Sequence, residues 1–332
     1  MTGEDRAMGP IKLRPIYRES IWAGERLKSI RGLAGAGIGI SREVSTYPGS
    51  VNQIEGGPWD GKAMTDVIKS HRDQIMGDVP GEQLVRVAFM DAAEELSVQV
   101  HPDQERAVLW GDQEKSEAWY IVEAKEGATI TAGIDTEDMG MIKKAIEEQR
   151  LDELLIRIPV KAGDMALIPA GMVHACGKDM LVVEVGSFGG ITCRLYDHGR
   201  GRRLDLEKGL AVLKPWLRCQ VGHTPLEITH HPKKLVRYGP FQADIVDVHG
   251  IWRYGGNSSY RILTCVLGDC QIRWEEESYH LGYTDTILLP AACRGVRIEG
   301  DARVLISYGR PDHEERLGQS GDGWGRPDRE DG

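Results

Sequence analysis

The sequence predicts a mainly β protein, built as two domains or as one elaborated double-layer β unit, with a helical region inserted into it. Three observations carry this. Short apolar runs bounded by Gly, Pro, Asn and Asp recur from about residue 84 to 194 and again from 233 to 307. Sustained apolar spacing of helical period is confined to residues 135–155 and 204–217, with a shorter helix at 65–76. A chain of 332 residues is also too long for a single small core.

Taken in order, residues 1–9 read as a loose arm. Pro10 and Pro15 break any early helix, and Trp22 offers a packing anchor. Residues 45–61 are rich in Gly, Pro, Ser and Asn and read as loop or short strands. A short helix over 65–76 takes Thr65 as its N-cap, and an alternating strand follows over 84–90. Strands at 120–124 and 128–132 flank a Lys-Glu-Gly turn. Met139, Ile142, Ala145 and Ile146 share one face of the inserted helical region, placed at 135–156. Residues 158–194 return to strand, a second helix ends near Pro215, and 233–307 reads as short strands punctuated by glycine. The tail, 311–332, is Gly, Asp, Glu and Arg and is expected to be disordered despite Trp324.

At 41% hydrophobic and 28% charged, the composition is that of an ordinary soluble protein. A formal net charge of -10 argues against nucleic-acid binding, so an anionic ligand must be caught by a local basic cluster. The first residues carry no basic-then-apolar secretory pattern, and no apolar run approaches the roughly 18 residues of a membrane span. The expectation is a cytoplasmic protein with no membrane partner. Its six cysteines (Cys176, Cys193, Cys219, Cys265, Cys270, Cys293) include no Cys-x-x-Cys pair and read as buried free thiols.

The chemistry centres on residues 96–118. In an extended Leu-Ser-Val-Gln-Val-His run, Ser97, Gln99 and His101 face one way and Leu96, Val98 and Val100 the other. If the polar loop that follows closes a hairpin, Glu117 returns to the polar face, and a Gln/His/Glu set begins a metal site. Two further segments compare with each other, one from Lys161 to His174 and one from Tyr283 to Gly295. Aligned on Pro169 and Pro290 they share an Asp, an aliphatic run and Pro-Ala, but His174 falls opposite Gly295. This is the pattern of an internal duplication whose second copy has lost a ligand position.

Gly163, five residues, Pro169, one residue, Gly171, two residues and His174 match the second motif of the cupin superfamily up to its histidine. Lys178 stands where an asparagine often follows. Together with Ser97-Val-Gln-Val-His101 and Lys115-Ser-Glu117, the chain resembles the type I mannose-6-phosphate isomerases, a family of zinc-dependent double cupins, in their short bacterial form. The resemblance extends through Pro15-Ile-Tyr-Arg-Glu-Ser-Ile-Trp22, Gly56-Gly-Pro-Trp-Asp-Gly-Lys62 and Arg194-Leu-Tyr-Asp-His-Gly-Arg200, a little over half of the chain.

The resemblance implies two jelly-roll barrels: a metal-binding cupin over 31–200 after first strands within 1–30, a helical connector over 201–232, and a degenerate second cupin over 233–310. It puts one zinc ion per chain on Gln99, His101, Glu117 and His174. Two imidazoles, a carboxylate and an amide oxygen suit zinc and leave a position open. It also places Lys115 and Arg194 in the active site and Ser97 near a bound sugar phosphate. Glu184, in the apolar run Leu181-Val-Val-Glu-Val185, is either the base of the reaction, its pKa raised by its setting, or a buried carboxylate paired with Arg194. The implied reaction interconverts mannose 6-phosphate and fructose 6-phosphate through a metal-stabilised enediolate, in a monomer or homodimer.

Three positions depart from the family pattern. Gly190 stands where an aspartate is usual, Ile40-Ser-Arg-Glu43 replaces a Glu-Ser-Trp-Glu pattern, and His198 replaces a tryptophan. A catalytically weakened cupin that binds a sugar phosphate as a sensor is therefore the alternative function. A metal-dependent cupin oxygenase is a third, disfavoured because Gln99 stands where the first histidine of a His-x-His motif would be.

Overall fold

The computed structural model describes residues 8–35, 37–227 and 230–311. The first seven residues of the expected arm, and the expected disordered tail from residue 312, lie outside them. The architecture is mainly β, as the alternating pattern predicts. In the first unit a seven-stranded antiparallel sheet runs, in spatial order, Val221–His223, Asp164–Ile168, Glu117–Ala124, Met180–Gly186, Arg86–Ala92, Ile38–Val44 and Ile16–Glu19. A five-stranded sheet faces it, in the order Leu155–Pro159, Thr129–Ile134, His174–Ala175, Val98–Val100 and Cys193–Tyr196.

The alternation along these strands decides what each face does. In the seven-stranded sheet, Val87, Phe89, Tyr120, Leu181, Val183 and Val185 join the large core shared with the second unit. Their neighbours Met90, Trp119, Ile121 and Val182 point into the first barrel and form its separate core. Behind the five-stranded sheet a third cluster packs Val98 and Val100 against Ile142 and Ile146 of the helix Met139–Glu147 and against Val212 of the helix Leu206–Val212. The inserted helix thus lies where its apolar face predicts. Asp138 caps it by accepting from the backbone N–H groups of Gly140 and Met141.

The second unit is one sheet in which Lys233–Tyr238, Phe241–Tyr254, Val296–Gly309, Arg261–Trp274 and Glu277–Leu281 are neighbours in turn, with Thr286–Leu289 pairing Arg261–Trp274. Here the sequence expectation of short strands fails. Three of these strands are 14 residues long, and the glycines read as breaks lie inside them. Gly250 pairs directly with Gly300, and Gly268 with Ala302. A Cβ on Gly268 would come 2.0 Å from the Asp301 carbonyl oxygen, so these glycines let long strands coil closely over one another rather than end them.

Two other expectations need correction. The helix at 65–76 is two helices, Met64–Ser70 and Arg72–Met76, and Ala63 rather than Thr65 holds the N-cap position, with no side-chain capping bond. The loop after His101 does not close a hairpin. It contains the helix Gln104–Leu109 and carries the chain across to the other sheet, so Glu117 faces Gln99 from across the barrel.

Trp22 is buried in the first barrel's core as expected, five of the six cysteines are buried, Cys219 is partly buried, and all six are free thiols. Among the described residues no helix is long and apolar enough to cross a membrane.

The two units join through the shared core and a few directed contacts. Tyr260 of the second unit is fully buried and its hydroxyl accepts from the Val85 backbone N–H at 3.0 Å. Tyr260→Phe would leave that N–H buried without a partner. It is expected to cost about 1–3 kcal/mol in denaturant unfolding, with the secondary structure of both units unchanged by circular dichroism.

Candidate metal centre and its cavity

Three side chains that can ligate a metal converge between the two sheets. His101 follows the strand Val98–Val100, His174 opens His174–Ala175 in the same sheet, and Glu117 opens Glu117–Ala124 opposite. Each is only 1% exposed. One ligand atom from each lies within 4.8 Å of the others, and among the described residues this is the one such group of three. Gln99 pairs in register with His174 and with Arg194, at the edge of the same cavity.

The surroundings fix how these groups point. The Nδ1 atoms of His101 and His174 lie 3.0 Å and 2.8 Å from the carbonyl oxygens of Ile191 and Met172. A carbonyl can only accept, so each Nδ1 carries the hydrogen and each Nε2 is an unprotonated acceptor, that of His101 taking a hydrogen bond from Lys115 Nζ at 3.0 Å. These two Nε2 atoms stand 3.2 Å apart. Trp119 Nε1 donates to Glu117 Oε2 at 3.0 Å and turns the other oxygen inward. That oxygen, Oε1, is 2.5 Å from Lys115 Nζ and 3.2 Å from His101 Nε2, but it is buried without a hydrogen bond of good geometry. Lone pairs aimed at one point from three sides are a poor hydrogen-bond network and a good cation site, so the donor set fits a divalent metal.

The protonation states agree with this. Burial, and then the Lys115 charge, push the His101 imidazole down to about 3. Burial likewise lowers His174. Burial alone would raise Glu117, but the charge of Lys115 and contact with His101 outweigh it and hold the carboxyl well below its ordinary value. At neutral pH the set is two neutral imidazoles and one carboxylate, the forms that bind metal.

A cavity of about 250 Å³ opens beside these groups. Ser97, Gln99, Lys115, Glu117, Glu184 and Arg194, all singled out in the sequence, line it. Glu184 is inward-facing on Met180–Gly186, in register with Trp119 and Ala88. Burial, then the Glu117 charge, raise its carboxyl above the ordinary range against the pull of Lys115, Arg86 and Arg42. Among the described residues Glu184 and Arg194 form no ion pair. Arg194 instead donates from Nη1 to the Arg203 carbonyl oxygen at 2.8 Å, and its Nε is buried without a partner. His198 lies elsewhere, in a separate cleft, bonded to the Leu96 carbonyl oxygen.

Gly190 is on the cavity wall, and the space a side chain there would need is already filled. A Cβ at 190 would meet Tyr47 Cζ at 2.3 Å. Asp112 bonds the same segment, accepting from the N–H groups of Gly190 at 2.8 Å and Ile191 at 3.0 Å. The departure from aspartate is thus coupled to Tyr47, about 140 residues earlier in the chain. The sequence reading also did not assign Arg42 and Arg86, both on the cavity wall. Alternation along 84–90 puts Arg86 on one face with Ala88 and Met90, but it does not say that this face looks into the cavity.

His101→Ala and His174→Ala are each expected to give folded protein whose metal content falls from one ion per chain to near none by elemental analysis, while Arg194→Ala keeps the metal. Gly190→Asp is expected to cost about 1–3 kcal/mol in denaturant unfolding by overpacking against Tyr47.

No protein-family model matches the chain. It is 30% identical over 316 residues to a probable mannose-6-phosphate isomerase, GmuF, of Bacillus subtilis, across 90% of this chain and 99% of that protein. A mannose-6-phosphate isomerase of Streptococcus mutans is 28% identical over 317 residues, across 90% of this chain and 98% of that one. Among solved structures, the mannose 6-phosphate isomerase from Bacillus subtilis superposes with a TM-score of 0.79 at 26% identity, covering 90% of this chain and 99% of that one. A phosphomannose isomerase mutant from Salmonella typhimurium, 14% identical, shares the fold with a TM-score of 0.73 over 91% of this chain and 100% of its own. The cupin-type architecture expected from the sequence is therefore the one present, and the chain belongs to the mannose-6-phosphate isomerase family.

Proposed function

We propose that this chain is a zinc-dependent aldose-ketose isomerase that interconverts mannose 6-phosphate and fructose 6-phosphate. The observation that carries the reading is the convergence of His101 Nε2, His174 Nε2 and a Glu117 oxygen beside a cavity that Glu117, Glu184 and Lys115 line. These three residues, with Gln99 as the fourth donor, would hold the metal. Zinc held there would supply a Lewis acid for the negative charge that develops on the substrate.

The chain's own groups do the rest. Ser97, Lys115 and Arg194 line the path of the open-chain sugar and orient it. Glu184, ionised, removes the proton at C2 and returns it to C1, passing through an enediolate. A buried carboxylate beside a second carboxylate is a stronger base than one in water, which suits proton transfer between carbons near neutral pH. Lys115, whose Nζ lies 3.0 Å from His101 Nε2, is the cation nearest the donors and serves the hydroxyl protons that must move in the same exchange.

Turnover of mannose 6-phosphate by zinc-reconstituted protein, followed in a coupled assay, tests this. No turnover with one zinc bound per chain would overturn it. Saturable calorimetric binding of the sugar phosphate in that case would favour the sensor alternative, to which the Tyr47 contact at Gly190 lends support. Glu184→Gln is expected to lower kcat by about 10²–10⁴-fold with metal retained. Because the Glu184 carboxyl is raised, the base is lost as pH falls through a value above the ordinary carboxylate range. The acid limb of the wild-type rate profile is expected there, and it should vanish from the residual activity of Glu184→Gln.

A further inference from the structure

Two arginines at the end of the cavity away from the histidines have no role in the reading above. Their placement follows from strand register. Across the seven-stranded sheet, Arg42 pairs with Ala88, Ala88 with Glu184, and Glu184 with Trp119. In the next row Arg86 pairs with Gly186, and Gly186 with Glu117. Side chains in register across neighbouring strands share a face, so both rows look into the barrel. In each row an arginine and a glutamate are held two strands apart by a residue with almost no side chain, Ala88 or Gly186. The gap is two inter-strand spacings, roughly 10 Å. Ala88 leaves room between Arg42 and Glu184, and Arg86 lies closer: a Cβ at Gly186 would be 3.9 Å from Arg86 Nε and 3.7 Å from Glu184 Oε1, so these two groups flank it.

The guanidiniums are anchored without being neutralised. Arg42 donates from Nη1 to Ser50 Oγ at 2.5 Å. Arg86 donates from Nε to the Ser187 carbonyl oxygen at 3.2 Å and stacks over the Tyr47 ring, 5.7 Å from its centroid. Its Nη2 is buried with no hydrogen-bond partner. Among the described residues neither arginine closes an ion pair. Burial, then the nearby Arg86 charge, push Arg42 below its ordinary value, against the pull of Glu184. Two half-buried like charges, one with a bare N–H, are costly unless an anion joins them.

We propose that Arg42 and Arg86 together grip the phosphate of the substrate, fixing the sugar so that C1 and C2 reach Glu184 and the metal donors. The assignment rests on the sugar-phosphate isomerase reading above and adds to it the end of the cavity that selects a phosphorylated sugar. Guanidinium forks match phosphate oxygens, and a dianion relieves the repulsion between them. An open six-carbon chain with a terminal phosphate reaches from the arginines past Ala88 to Glu184. Arg42 lies in the Ile40–Glu43 segment that departs from the family pattern, so this grip is a property of this chain's own residues.

The test compares Arg42→Gln, Arg86→Gln and Arg194→Gln in the zinc-loaded enzyme, with inorganic phosphate as a competitive inhibitor. For the first two, KM for mannose 6-phosphate and the phosphate inhibition constant are both expected to rise about tenfold or more, with metal content unchanged. Wild-type values of both constants in Arg42→Gln and Arg86→Gln, with loss in Arg194→Gln instead, would overturn the assignment. Should a glutamine variant not fold, Arg42→Lys and Arg86→Lys keep the charge but lose the fork, and unchanged constants there would also overturn it. If the wild type shows no turnover, the isomerase reading fails separately. Calorimetric titration with inorganic phosphate then decides the pair: binding lost in the two variants supports it, and equal binding in wild type and variants refutes it.

Discussion

The centre of this molecule is an electrostatic problem confined to a few ångströms. Two unprotonated imidazole nitrogens 3.2 Å apart face a carboxylate oxygen, all buried in the barrel interior. Each group is costly to bury alone, and no hydrogen-bond pattern among them satisfies all three. A cation settles the account. Lys115 supplies part of one through its contacts with Glu117 and His101, and the donor geometry suits a divalent metal better. The backbone carbonyls of Ile191 and Met172 then become part of the site, because they hold both lone pairs inward.

From that centre the barrel interior grades along its strands. Met90, Ile121 and Val182 close one end with apolar packing. Glu117, Glu184, Lys115, Arg42 and Arg86 occupy the other, where the cavity opens. The same alternation that buries Phe89 and Val183 against the second unit therefore turns Ala88 and Glu184 into the cavity. The second unit holds no comparable His/Glu group among its described residues, and its long strands pack against the outer face of the sheet that carries Glu117.

Much of this could be read from residues alone, for physical reasons. Alternation separates Gln99 from Val98 and Val100 without any structure, and the helical spacing of Ile142, Ala145 and Ile146 finds the inserted helix. The reading failed where the outcome depends on distant partners. That Glu117 comes from the sheet opposite Gln99 depends on which strands pair, which local sequence does not encode. The glycines at 250, 268 and 300 carry the signal of a turn, yet they serve close strand approach, and only the register tells the two uses apart. Tyr47 filling the space at Gly190 is a contact of this kind too: the changed residue is visible in the sequence, its compensation is not. Arg42 and Arg86 obey the same alternation as Gln99, but a basic residue on a strand reads as a solvated face until the barrel closes over it.

X-ray absorption at the zinc edge of reconstituted protein tests the central claim most directly, because it reports the ligand atoms themselves. The account predicts one zinc per chain with a first shell of nitrogen and oxygen only, two of the donors showing the outer-shell scattering of imidazole rings. A shell containing sulfur, or one lacking imidazole scattering, would place the metal away from His101, Glu117 and His174 and contradict the account.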